Sequence, residues 1–221
     1  MPTDERYVPA AGRAWLRRLY DPAMALTMRE RVWRPSLITT VLTDPPPSTV
    51  LDVGCGTGTL CVQLAEASPA VQVLGVDGDE KILATARQKA VRFGERVRFS
   101  HGLAGELPLA DASVDVVIAS LLLHHLGPSA KLSALLEANR VLIPGGRLVI
   151  ADWGPAHDPL MRAAFFSLRL LDGFQNTRDH AAGRLPSLLA QAGFQNVAVG
   201  QRWRTVWGSL EAITAERSDR H

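Results

Sequence analysis

Asp52-Val53-Gly54-Cys55-Gly56-Thr57-Gly58 is the stretch of the chain whose residue types and spacing say most about chemistry. A carboxylate on an apolar strand, Val50–Val53, leads into a turn with glycine at every second position, and a helix is predicted from about Thr59 to Ala67. Glycines there let the backbone turn sharply and approach a ligand with no Cβ in the way. The helix start offers N–H groups and the positive end of its dipole. Asp77 stands 23 residues after Gly54, at the tip of a second apolar strand, Val71–Val76. In an open α/β sheet, an acid at that place accepts hydrogen bonds from the ribose hydroxyls of an adenosine-containing ligand.

Spacing also separates ligands of this kind. A dinucleotide site has the pattern G-x-G-x-x-G, which seats a pyrophosphate on the helix start. Here the third glycine comes one residue early and Asp52 precedes the first by two. A carboxylate beside the turn repels a pyrophosphate and suits an ammonium group. S-adenosylmethionine, with its adenosine, sulfonium and amino-acid tail and no phosphate, matches these features better than a nicotinamide dinucleotide. An NAD(P)-dependent oxidoreductase is the distant alternative.

The elements that must position these residues alternate in the βαβ manner. Further apolar strands are predicted at Val97–Ser100, Val114–Ser120 and Arg147–Asp152, and helices at Asp79 to about Arg92 and Ser129–Leu142. Near-continuous apolar strands of this kind form a parallel sheet covered by helices on both faces. Beyond it the pattern predicts helices at Pro159–Leu171 and Thr177–Gln191, then an antiparallel strand pair, Asn196–Arg202 and Thr205–Ala215. Residues 1–44 read as a helical lid, with Asp21-Pro22 and Pro35 as boundaries or bends, before the stiff Asp44-Pro45-Pro46-Pro47 connector. Residues 45–221 then form one doubly wound α/β domain, with a helical substrate-side segment at 155–192.

Composition excludes more than it identifies. The chain has 221 residues, 47% of them hydrophobic and 21% charged, with a formal net charge of +2. That suits one ordinary globular domain and no nucleic-acid partner, since no segment is polybasic. Two cysteines, Cys55 and Cys61, exclude a disulfide scaffold and any multi-cysteine zinc site. The start lacks the order of a signal peptide, and the longest apolar run, Val116–Leu123, is too short for membrane insertion. The expectation is a cytoplasmic protein.

Other side chains that could do chemistry lie where strands meet the lids: His124 and His125 after the fourth strand, Trp153 and His157 after the fifth. Tyr20 and Trp33 could cover the site, and Phe165, Phe166 and Phe174 could line an apolar acceptor pocket. Each has a plainer reading. One of the two adjacent imidazoles packs inside or caps a helix, His157 sits in a loop or cap, and Phe165-Phe166 belongs to the core. Arg29, Arg31 and Arg34 form a solvated face. Metal binding by the adjacent histidines lacks a cysteine or carboxylate at ligand spacing, so no metal is expected. Trp203 and Trp207 pack the sheet edge or the contact of a homodimer.

VLDVGCGTG at 50–58, GVDGDE at 75–80, LPLADASVDVVIAS at 107–120, LHHL at 123–126 and RVLIPGGRLVIADW at 140–153 together resemble the motifs of class I S-adenosylmethionine-dependent methyltransferases. The nearest likeness is to the branch holding the ubiquinone and menaquinone methyltransferases, and Tyr20-Asp21 is similar to an element before its first motif. The resemblance implies a Rossmann-like sheet of order 3-2-1-4-5-7-6 with strand seven antiparallel, and methylation of a small organic acceptor. A non-catalytic cofactor-binding or regulatory module is the alternative. It also implies that Asp52 and the backbone of Gly54, Cys55 and Gly56 hold the methionine end of the cofactor. Asp77 takes the ribose hydroxyls, with Gly78 and Asp79 closing the loop beside the adenine, and Ser120 lies near the sulfonium. The family often has Gly-Asp-Ala where this chain has Gly102-Leu103-Ala104, so Leu103 packs on the adenine and a backbone N–H, with no side-chain acceptor, serves its edge. The proton-transfer candidates are His124, His125 and Tyr20.

Overall fold

The computed structural model describes residues 29–43 and 45–218. The helices expected before residue 29, and Tyr20 with them, lie outside the described residues. In chain order the elements are α1 (Glu30–Val41), β1 (Thr49–Val53), α2 (Thr59–Ala67), β2 (Gln72–Asp77), α3 (Glu80–Ala90) and β3 (Val97–His101). There follow β4 (Val114–Ser120), α4 (Pro128–Val141), β5 (Leu142–Trp153), α5 (Pro159–Asp172), α6 (Arg178–Ala181), α7 (Leu185–Gln191), β6 (Phe194–Arg204) and β7 (Ser209–Arg217).

The seven strands form one sheet of order β3-β2-β1-β4-β5-β7-β6. β1 to β5 run parallel and β7 is antiparallel to both β5 and β6. This is the expected Rossmann-like arrangement. Strands β1, β4 and β5 are mostly apolar because helices cover both faces, with Asp52, Asp115, Arg147 and Asp152 as the charged exceptions. Trp33, Leu37 and Val41 of α1, Leu60 and Leu64 of α2 and Leu83 of α3 share one buried cluster with Val50, Ile118 and Val149. Leu135 and Val141 of α4 and Leu185 and Leu189 of α7 share the other with Leu51, Val117 and Leu148. Burial of each such side chain contributes roughly 1.5–3 kcal/mol relative to leaving it exposed. No helix among the described residues is long and apolar enough to cross a membrane.

Some boundaries differ from the sequence reading, the last strand beginning at Ser209 instead of Thr205, and three differences have a plain physical reason. Pro35 lies inside α1 instead of bounding it, one lost N–H being tolerated while Trp33 and Leu37 are buried on the same helix. Thr177–Gln191 is not one helix: Gly183, at φ 65°, separates α6 from α7. β5 begins at Leu142, five residues early, because Val114 pairs with Leu142 before the register shifts.

The C-terminal ends of the five parallel strands point to one edge of the sheet. Between β1 and β4 the strand order reverses direction, and crevices at such a switch point are where open α/β sheets bind ligands.

Candidate functional site

The glycine turn after β1 lies at this switch point, and its backbone is largely committed to itself. The N–H groups of Gly54 and Cys55 donate to the Val76 carbonyl at 2.8 and 3.1 Å, and that of Gly58 to the Cys55 carbonyl at 3.0 Å. The Gly56 N–H donates to Asp77 Oδ2 at 2.9 Å. These four N–H groups of the turn are thus taken, while those of Thr59, Leu60 and Cys61 at the start of α2 have no acceptor among the described residues, as expected of a helix start. Gly54 has φ 70°, and a Cβ there would stand 2.7 Å from Leu122 Cδ1. Gly56 has φ 53°, and a Cβ there would meet nothing within 4 Å, so its outer face is open space.

Asp52 lies beneath the turn and is 2% exposed. Cys61 Sγ donates to its Oδ2 at 3.4 Å, while Oδ1 has no hydrogen-bond partner among the described residues. Burial pushes its pKa up to about 7, against the opposing pull of the Cys61 hydrogen bond and the Arg34 charge. A buried carboxylate with an unpartnered oxygen is a place for a cation. Asp77 holds the turn and the β2 tip together, its Oδ1 accepting from Asp79 N–H at 2.9 Å. Each Asp77 oxygen keeps a lone pair for a further donor. Asp79 caps α3 by accepting from the N–H groups of Lys81 and Ile82. Gly78 O lies 3.1 Å from His101 Nε2.

On the far side, Leu103 is exposed and Ala104 half-buried, in a turn closed by a Leu103–Glu106 bridge. Ser120 ends β4 opposite Ala151. The next residue, Leu121, has φ 52°, a conformation that costs a bulky side chain roughly 1–3 kcal/mol. Its N–H bonds to the Ala151 carbonyl at 2.8 Å, and the resulting kink lays Leu122 against Gly54.

The kink also delivers His124 and His125 to a cluster that sequence reasoning missed. His124 is buried, and its Nδ1 lies 2.7 Å from Asp152 Oδ1. Asp152, also buried, accepts from the N–H groups of Leu123 and Trp153. Burial alone would raise the Asp152 pKa, but the imidazoles of His124 and His180 and these hydrogen bonds hold it well below the usual carboxylate range. His180 Nδ1 donates to the Trp153 carbonyl at 2.9 Å, and burial lowers its pKa. Asp172, at the end of α5, faces both His124 and His125. Asp152, Asp172 and His180 have no sequence spacing that marks them; only the β4–β5 register and the return of α5 and α6 bring them here.

Other candidates fall outside this cluster or serve packing. Trp33 and Phe165 are core residues, and Trp203 is buried against them. Phe166 and Phe174 are more exposed and meet edge to face at 5.7 Å. His157 Nδ1 pairs with Ser209 Oγ at 2.6 Å, a loop-tethering contact. Arg29 Nη1 donates to the Arg204 carbonyl, and Arg34 pairs with Glu30.

A family model described as "Methyltransferase domain" matches residues 50–146. A demethylmenaquinone methyltransferase of Lactiplantibacillus plantarum is 32% identical over 169 residues, 67% of this chain and 70% of that protein. The chain belongs to the class I S-adenosylmethionine-dependent methyltransferases. A demethylmenaquinone methyltransferase of Deinococcus radiodurans is 37% identical over 136 residues, 62% of this chain and 55% of that one. The Thermus thermophilus counterpart is covered to 54%, so the match spans about half the length of these two relatives. Among solved structures, a possible histamine N-methyltransferase of Thermotoga maritima superposes with TM-score 0.69 at 22% identity, over 91% of this chain and 97% of that one, a likeness of fold.

The residues present fit the cofactor of this methyltransferase family. The unpartnered, buried Asp52 oxygen suits an ammonium group, the open face at Gly56 leaves room beside the turn, and Asp77 retains acceptor capacity for hydroxyls. A pyrophosphate would meet the Asp52 carboxylate beside the turn and the bonded N–H groups of Gly54, Cys55, Gly56 and Gly58.

Proposed function

We propose that the chain transfers the methyl group of S-adenosylmethionine to a small organic acceptor by in-line displacement. The observation that carries this reading is the turn after β1, where the N–H groups of Gly54, Cys55, Gly56 and Gly58 are bonded within the protein while Asp52 beneath it keeps an unpartnered carboxylate oxygen. Such a turn favours a zwitterionic amino-acid tail over a phosphate. Bound there, the cofactor supplies an electrophilic methyl on a sulfonium.

In this reading Asp52, with the backbone of Gly54, Cys55 and Gly56, holds the methionine end. Asp77 takes the ribose hydroxyls, and Gly78, Asp79, Leu103 and Ala104 flank the adenine. Ser120 and the Leu121 kink border the reacting end. The protein's contribution is alignment and exclusion of water, with alignment contributing as much as about 7–11 kcal/mol in favourable cases. A proton acceptor is required only where the acceptor atom carries a proton, as on a hydroxyl. His124 and His125 border that end of the site, and Tyr20 is the candidate outside the described residues. The acceptor side is assigned to residues 155–192 and to the sequence before Arg29, which lies outside the described residues; α1, packed into the core, is not part of it.

S-adenosylhomocysteine should raise the melting temperature of the purified protein and NADH should not. Asp77→Ala should abolish that shift while leaving the circular dichroism spectrum intact. Tritium from the labelled cofactor should then appear in the small-molecule fraction of a cell extract. A shift with NADH alone would overturn the cofactor assignment, and label confined to macromolecules would overturn the acceptor class.

A further inference from the structure

His124, His125 and Asp172 form a convergence that methyl transfer alone does not require. Asp152 occupies His124 Nδ1 at 2.7 Å, which leaves Nε2 as the ring nitrogen open to a further partner. That Nε2 stands 3.7 Å from Asp172 Oδ2, and His125 Nδ1 stands 3.7 Å from Asp172 Oδ1. Both separations exceed a hydrogen bond. One ligand atom from each of the three residues lies within 4.8 Å of the other two.

We propose that His124, His125 and Asp172 form a binding site for one divalent transition-metal ion of the Zn2+ type. Two imidazoles and a carboxylate are the donor set such ions take, and hard ions such as Mg2+ prefer oxygen alone. Metal–ligand bonds of about 2.0–2.1 Å place neighbouring donors roughly 3.3 Å apart, so each His–Asp172 pair needs to close by only a few tenths of an ångström, and side-chain rotation of the half-exposed His125 supplies the larger closure of a set that spans up to 4.8 Å. Asp152 completes the arrangement from behind: a carboxylate on the remote nitrogen orients a ligating imidazole and raises its basicity. That carboxylate is itself anchored by the N–H groups of Leu123 and Trp153. The His125 backbone is held as well, its carbonyl accepting from Asn176 Nδ2 at 3.2 Å. Access is from one side, since the His125 side chain is 49% exposed and that of His124 only 3%.

Three protein ligands leave at least one coordination position for water or an acceptor oxygen. A cation there favours the deprotonated form of a bound hydroxyl, which is the service otherwise asked of a general base. That role rests on the methyl-transfer reading; the site itself does not.

The test uses tag-free full-length protein stripped with a chelator, titrated with Zn2+ by calorimetry and with Co2+ by its visible absorption. One equivalent should bind, with Co2+ bands of a nitrogen–oxygen site. Asp172→Asn and His125→Ala should each weaken binding at least tenfold. Because His125 is half exposed, His125→Ala should keep the fold even if the Asp172 variant does not. No saturable binding, or unchanged stoichiometry and affinity in His125→Ala, would overturn the site. Metal binding by a protein that ignores S-adenosylhomocysteine would support this site while refuting the methyl-transfer reading.

Discussion

At the scale of single residues, Asp52 is the group whose chemistry depends most on what binds beside it. With its pKa pushed up to about 7 from 3.8, the folded, ligand-free protein keeps a proton that the unfolded chain releases. The folded state binds more protons between those two values, so this group's contribution to stability falls as pH rises from about 4 to about 7 and is level beyond. Asp52→Asn mimics the protonated acid and should remove that slope, leaving the variant more stable than the parent at pH 8 by on the order of 1–3 kcal/mol. Urea melts at pH 5 and pH 8 check this; parallel pH dependence of the two proteins would count against it. An ammonium placed beside Asp52 would expel the proton. Calorimetry at pH 6 in buffers of different protonation enthalpy should therefore show release of close to, at most about, one proton when S-adenosylhomocysteine binds. Asp52 and Asp77 were legible in the sequence because their place follows from a strand, a turn and an interval. The partners of His124 were not, since Asp152 is 28 residues away and is brought over by strand register alone.

At the scale of elements, one buried lysine joins α4 to α6. Lys131 of α4 has a side chain with 0% exposure, and its Nζ reaches Asp179 Oδ2 at 3.2 Å and the Asn176 carbonyl at 2.9 Å. Removing one member of a fully buried pair costs about 3–5 kcal/mol when the other charge is left alone, but Asp179 also lies 3.8 Å from Arg184 Nη1, which keeps part of the compensation. Lys131→Met should lower stability in urea unfolding by up to about 3 kcal/mol, and Lys131→Met/Asp179→Asn should recover part of it. An unchanged unfolding midpoint in the single variant would show that the pair contributes nothing. The strands and the helices that cover them were readable because hydrophobic period follows local geometry. Lys131 was not, because nothing in helical periodicity distinguishes a lysine folded under the next segment from one in water. The break at Gly183 did carry a signal: a glycine amid Thr177–Gln191 that the apolar pattern outweighed.

At the scale of the whole molecule, α1 belongs with the sheet, so the proposed lid is confined to the sequence before Arg29. Trp33, Leu37 and Val41 are each 0% exposed and share a core cluster with β1, β4 and β5. Arg147 of β5 further ties α1 down, donating to the Thr40 and Val41 carbonyls at 3.1 and 3.2 Å. Helix α1 is therefore part of the packed body, and a cut through residue 40 strips Trp33 and Leu37 out of it. Each loss of that kind costs about 2–5 kcal/mol, against a total stability of about 5–15 kcal/mol for an ordinary domain. That truncation should yield protein with no cooperative melt. A chain starting at Arg29 keeps every one of those contacts, so it should melt cooperatively and still respond to S-adenosylhomocysteine. If residues 1–28 serve the acceptor and not the cofactor, its turnover should fall while its cofactor affinity stays. Full turnover in that shorter chain would remove the lid, and Tyr20, from the proposal; loss of cofactor affinity would move them to the cofactor side.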